Sequence, residues 1–183
     1  MKRGFKFALL FSTMITLSSA AVAQDVVLTE ESIRAYVQEA AQSARGGSAA
    51  MVSFSEKHLH EDAVLKTVTR TVIPEMEPLE EVTLHSKAEF IEAARADGDL
   101  GKVNELTAEA KNIQISEDGK SATVLEVVTF DMDIRVPVSE LQEISANMKA
   151  TSECKDELVL SDTNIIQVIK ADCNIQSEIQ MPY

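Results

Sequence analysis

The sequence predicts an α+β fold in which N-terminal helices pack on a strongly curved antiparallel sheet. Three observations predict it. Apolar residues recur at helical spacing at the start of the mature chain and again after Ser86. Long β-branched stretches fill most of the second half. Asp118-Gly119 and Thr163-Asn164 lie between such stretches as turn signals, which makes hairpins of them.

The chain opens with Lys2, Arg3 and Lys6, continues through a mostly apolar run at 7–17, and reaches Ala21-Val22-Ala23. A positive start, an apolar middle and small residues at the end are the parts of a cleavable secretory signal, so residues 1–23 are expected to leave and one α+β domain, 24–183, to begin at Gln24. The apolar run is interrupted by Ser12, Thr13 and Thr16 and falls short of the ~20 residues of a membrane span. The first cysteine is Cys154, far from the cleavage site, so no lipid anchor is expected. The reading is a soluble periplasmic or secreted protein with no membrane attachment after cleavage. Asn-x-Ser/Thr does not occur, which favours a bacterial periplasm. The formal charge of −13 loses three positive charges with the leader, giving −16. Such a surface argues against nucleic acid as a partner, because that binding needs a basic patch.

Thr29 is a candidate N-cap, with Glu30 and Glu31 in the first turn where they suit the helix dipole. Ile33, Tyr36, Val37, Ala40, Ala41 and Ala44 form the apolar face, and Gly46-Gly47 ends the helix. A second helix starts at Ser48 and buries Met51, Phe54 and His58 before a turn at Glu61-Asp62. Residues 64–73 read as a strand, Pro74 and Pro78 bracket an irregular stretch, and 81–84 allow a short strand. Ser86 and Glu89 form a capping box that opens a helix carrying Phe90, Ile91 and Ala94 and ending near Asp97-Gly98. A strand ending at Ile113 and Ile115 joins a strand at 121–134 through the Asp118-Gly119 turn. Pro137 is expected to stop it, and Ser139, Leu141, Gln142, Ile144 and Met148 suggest a short capped helix. Strands at 155–160 and 165–179 complete the chain.

A two-residue turn at Thr163-Asn164 would place Asp162 opposite Ile165 and Cys154 opposite Cys173. The same register sets Lys155 against Asp172, Glu157 against Lys170, Leu158 against Ile169 and Val159 against Val168, all favourable cross-strand pairs. In an oxidising compartment Cys154 and Cys173 should form a disulfide. A reactive thiol would instead want Cys-x-x-Cys spacing or a basic neighbour, and the sequence offers neither.

Alternation from Ala122 through Val124, Val128, Phe130, Met132 and Ile134 makes an apolar face interrupted by Glu126. Lining a cone, Glu126 would be desolvated and able to act as a general base or ligand anchor, with Arg70 or His58 as partner. A bulge or edge position would instead send it to solvent, and a structural pair with Arg70 is a further alternative. Asp131 and Asp133 share the opposite face, where a solvated surface is favoured over cation binding. His58 and His60 could chelate a metal with Asp62 or His85 if extended, but in a helix they diverge, so no metal is expected. Phosphate-loop, serine-elbow and His-Glu-x-x-His motifs do not occur, and no cofactor is expected.

The order of elements, with Leu59-His60-Glu61-Asp62-Ala63 at a helix-to-strand junction, Ser86-Lys87-Ala88-Glu89-Phe90 opening the third helix, and 113–123 around its Asp-Gly turn, resembles the nuclear-transport-factor-2-like fold that includes ketosteroid isomerase and SnoaL-type cyclases. The resemblance spans roughly 29–179. It implies a cone whose open end holds a small apolar ligand. The expected role is non-catalytic binding of such a molecule or of a protein partner. An isomerase or dehydratase using Glu126, and an envelope protein assembling as a homodimer, are the alternatives.

Overall fold

The structure is a computed structural model that describes residues 26–96, 101–139 and 142–182. The leader, the helix end at Asp97-Gly98, and Leu141 lie outside the described residues. Its elements are α1 Glu30–Arg45, α2 Ser48–His58, β1 Leu59–Val72, β2 Leu79–Ser86, α3 Lys87–Ala96, β3 Gly101–Ile115, β4 Ser121–Ser139, β5 Gln142–Leu160 and β6 Ile166–Gln180. Thr29 caps α1 as expected: its Oγ1 accepts from the Ser32 N–H at 3.0 Å, and the Ser32 Oγ accepts from the Thr29 N–H at 3.0 Å. Gly47, at φ 78°, takes the positive-φ conformation that lets α2 leave α1 sharply.

The six strands form one sheet in the order β2-β1-β6-β5-β4-β3. Neighbours are antiparallel except β1 and β6, which run parallel. The sheet is therefore mostly, not wholly, antiparallel. Residues 122, 124, 156, 158, 63, 65 and 171 alternate onto the face that the helices cover, where Ile33 and Val37 of α1 join Val124, Leu158 and Val168 in a closed core. This is called the inner face below.

The capped helix expected at 139–148 does not form; Gln142–Leu160 is one long strand and β4 continues through Pro137 to Ser139. Ile144 and Met148 satisfy a helical period, but Ile144, Ala146, Met148 and Ala150 satisfy a period of two equally well. Pairing with β4 on one side and β6 on the other decides for the strand, and Ala146 and Ala150 are buried. The turn expected at Glu61-Asp62 is likewise part of a strand. Their exposed charges sit where the β1–β6 register slips between Leu59 and Val64.

The final hairpin keeps the expected register at Cys154–Cys173, Lys155–Asp172 and Glu157–Lys170, and the Lys170 and Glu157 side chains meet at 3.1 Å. Nearer the turn it moves by one residue: Leu158 faces Val168 and Val159 faces Gln167. The loop has three residues, not two. The Ser161 N–H donates to the Ile165 carbonyl and the Asn164 N–H to the Ser161 carbonyl, both at 2.9 Å, with Asn164 at φ 61°. Ile169 is then left over as a bulge, which restores the register before the cysteines.

Candidate functional site

Glu126 on β4 stands opposite Cys154 on β5, Cys154 stands opposite Cys173 on β6, and those two cysteines are disulfide-bonded. Asp156, two residues along β5, stands between Val124 and Ala171. All of these belong to the inner face. Asp156 is only 4% exposed, whereas Glu126 is less deeply buried and keeps part of its surface open.

The two carboxyls are hydrogen-bonded to each other. Burial raises both, because the charged form of each is poorly solvated there. Asp156 goes well above the ordinary carboxylate range, through burial first and then through the charge and hydrogen bond of Glu126; that same bond opposes the rise of Glu126. Of the two, Asp156 is the more deeply buried and the more strongly raised. Tyr36, brought in by α1, is 6% exposed; burial and the nearby Asp156 and Glu126 charges push its phenol well above its usual value. Among the described residues no cation pairs with either carboxyl. The arrangement can accept a hydrogen bond or a proton at the open edge of Glu126.

The other expected site residues lie elsewhere. Arg70 occupies the opposite, outer face of β1, exposed together with Val64 and Val72, so it is not a counter-ion for Glu126. Parity explains this: 63, 65 and 67 on β1 point inward and the even positions outward. Arg70 instead borders a trough of about 720 Å³ that crosses the outer face past Gln176, Thr151 and Thr129. Asp131 is in the same trough, where the Asn147 amide donates to it at 2.7 Å and the Asn104 amide at 3.3 Å. Those bonds, aided by Lys149, hold its carboxyl below the ordinary range.

His58 ends α2 and is 4% exposed, stacked on Phe54 with ring centres 4.3 Å apart. Its Nδ1–H donates to the Ile166 carbonyl at 2.7 Å, and its Nε2 is 3.3 Å from a Glu39 carboxylate oxygen, so it does not partner Glu126. His60 Nδ1 accepts from the Asp62 N–H at 3.2 Å. Among the described residues, ligand atoms of three or more potential metal-binding side chains converge only at Cys154, Asp156 and Cys173, and the two sulfurs are bonded to each other.

Sequence reasoning missed Tyr36 and Asp156 as members of the site. The signal for Asp156 was present: with Lys155 and Glu157 paired outward, Asp156 must point inward among Ser152, Cys154 and Leu158. Tyr36 gave no comparable sign, because its helical spacing reads equally well as core.

No protein-family model matches the chain, and no curated protein matches it. Solved structures do. A conserved protein from Planctomyces limnophilus superposes with a TM-score of 0.51 at 14% identity, covering 84% of this chain and 97% of that one. An NTF2-like protein from Cytophaga hutchinsonii gives 0.44 at 14% identity, covering 80% and 98%. A ketosteroid isomerase-like protein from Erwinia carotovora atroseptica gives 0.38 at 14% identity, covering 85% and 100%. The likeness is one of fold. The α+β arrangement expected from the nuclear-transport-factor-2-like resemblance, helices on one face of a curved sheet, is the one observed.

Proposed function

We propose that the chain is an exported, non-catalytic domain that binds a small, mostly apolar molecule on the inner face of its sheet, with Glu126 as the polar anchor. The observation that supports this reading is a partly open Glu126 carboxyl on the inner face beside Val128, hydrogen-bonded to the buried Asp156. Asp156 fixes one Glu126 oxygen and leaves the other for a hydroxyl or amine of the ligand, whose body lies along Val128. Export rests on the leader and agrees with the disulfide, a bond of oxidising compartments. No helix among the described residues is long and apolar enough to cross a membrane.

Native mass spectrometry of the chain isolated from a periplasmic extract tests the reading. A small molecule carried by the wild type and lost from Glu126→Gln is expected. A wild type that carries nothing, or a Glu126→Gln chain that carries the same molecule equally well, overturns it.

One observation favours a second reading: Glu126 and Asp156 are hydrogen-bonded carboxyls of unequal burial, both raised, beside the Tyr36 phenol. That set could move a proton on a bound substrate as an isomerase or dehydratase does, with Glu126 as base. Turnover of the retained molecule that survives Glu126→Gln unchanged would eliminate this enzyme.

A further inference from the structure

The sheet has two edges, and the protein treats them differently. At the β3 edge, side chains of α1 reach the strand's own carbonyls: Arg34 donates to Ala110 at 2.9 Å, Gln38 to Ala108 at 2.8 Å, and Arg45 to Leu106. Register slips between Val103 and Glu105 and between Lys111 and Gln114 break the line of β3 further, and Asn112 turns to φ 49°. Bulges, covering groups and lysines are the means by which proteins keep an edge strand from pairing with another chain.

The β2 edge carries the charges of Glu80 and Glu81 but, among the described residues, neither a bulge nor a covering hydrogen bond. Its pairing with β1 runs from Leu79 to Ser86 without a register slip, and no Lys or Pro interrupts it. Among the described residues no hydrogen bond from outside the sheet reaches the backbone of residues 79–85. Val82 and Leu84 are 61% and 66% exposed. An unbroken edge that exposes Leu79, Val82 and Leu84 is a template for one more strand.

We infer that the added strand is β2 of a second copy of this chain, antiparallel about a two-fold axis at Thr83. The sequence of β2 is complementary to itself in that register. Val82 meets the partner's Leu84 on the outer face, and Glu81 meets the partner's His85 on the other. Thr83 meets the partner's Thr83, and each contact occurs twice. Shifting the axis to Val82 sets Glu80 against Leu84, and shifting it to Glu81 opposes two carboxylates. The six-stranded sheet becomes one of twelve strands. The pairing is independent of what the inner face binds.

The chain contains no free cysteine, so a single added thiol reports the register directly. Facing residues of antiparallel strands have Cα atoms about 4.5 or 5.5 Å apart, within the roughly 4.4–6.8 Å that a disulfide spans. Sedimentation of the exported chain should give twice the single-chain mass, more completely as salt screens the repulsion of two acidic chains. Thr83→Cys should cross-link under mild oxidation roughly a hundredfold faster than Lys102→Cys on the β3 edge, because pairing holds its thiols at a millimolar-range effective concentration. Val82→Cys and Leu84→Cys should cross-link quickly when mixed and slowly when separate. A wild type that sediments as a single chain at all salt concentrations overturns the inference. So does a Thr83→Cys chain no faster than Lys102→Cys. Should Thr83→Cys lose its fold, the mixed pair decides by the same criterion.

Discussion

Strands β4 and β5 carry two sets of carboxyl groups whose environments are opposite. On the inner face, Glu126 and Asp156 are diagonal neighbours, Asp156 buried and Glu126 partly so, with no cation paired to either among the described residues, and burial raises both. A few residues along, on the outer face, Asp131 takes amide hydrogen bonds from Asn147 and Asn104 with Lys149 behind, and its carboxyl is lowered. The side-chain chemistry is the same. Parity on the strand decides whether a carboxyl loses its hydration or gains donors, so a one-residue difference in position separates a raised carboxyl from a lowered one.

The largest expected effect comes from releasing the strand that holds Asp156. The Cys154–Cys173 bond ties β5 to β6 beside the inner pair and closes a loop with a sequence separation of 19. Changing both cysteines to Ala should lower the unfolding free energy by about 3 kcal/mol on the chain-entropy account, read from urea denaturation. Next in size is Asp156→Ala, which removes the donor from a buried partner and should cost about 1–3 kcal/mol. Asp156→Asn should cost less, since an amide can still donate to Glu126. Asp131→Ala serves as the outer counterpart, and its thermal midpoint at neutral pH should fall by less than that of Asp156→Ala, because its exposed partners regain water. Equal losses for the inner and outer alanine variants would show that burial does not separate the two sets.

Much of this was legible in the sequence where one signal had no competitor. The Thr29 cap, the Asp118-Gly119 turn and the Cys154–Cys173 register each rest on a local rule that tertiary packing has no reason to override. The hairpin tip was less legible: whether two or three residues make the loop is decided by Asn164 taking a positive φ, and Asn tolerates both conformations. Residues 139–148 carried a helical and a strand period at once, and only the neighbouring strands break that tie. Val64, Val68 and Val72 read in the sequence as a core stripe, which is what would bring Arg70 to Glu126 as a counter-ion. In the structure those valines lie on the outer face, with Val64 and Val72 exposed, and Ala63, Leu65 and Thr67 point inward. One strand's parity cannot be referred to another's from sequence when a register slip such as the one after Leu59 lies between them.

The two carboxyl sets also make opposite contributions to stability as pH changes. Asp156 and Glu126 have folded values above their unfolded ones, so between those values the native chain holds protons that the unfolded chain has released. Their contribution is complete below the ordinary carboxylate value of about 4 and is lost as pH rises through the raised values. Asp131 is the reverse: its folded value is lowered, so its contribution is present above the ordinary value and is lost as pH falls through the lowered one. On acidification from neutrality the wild type should first gain thermal stability and then lose it, with the maximum on the mildly acid side. Glu126→Gln with Asp156→Asn should flatten the gain and leave the acid loss in place, while Asp131→Asn should soften the acid loss and leave the gain. Calorimetric midpoints across the pH range check both limbs. Parallel profiles for the wild type and the double amide variant would mean that burial does not raise Glu126 and Asp156.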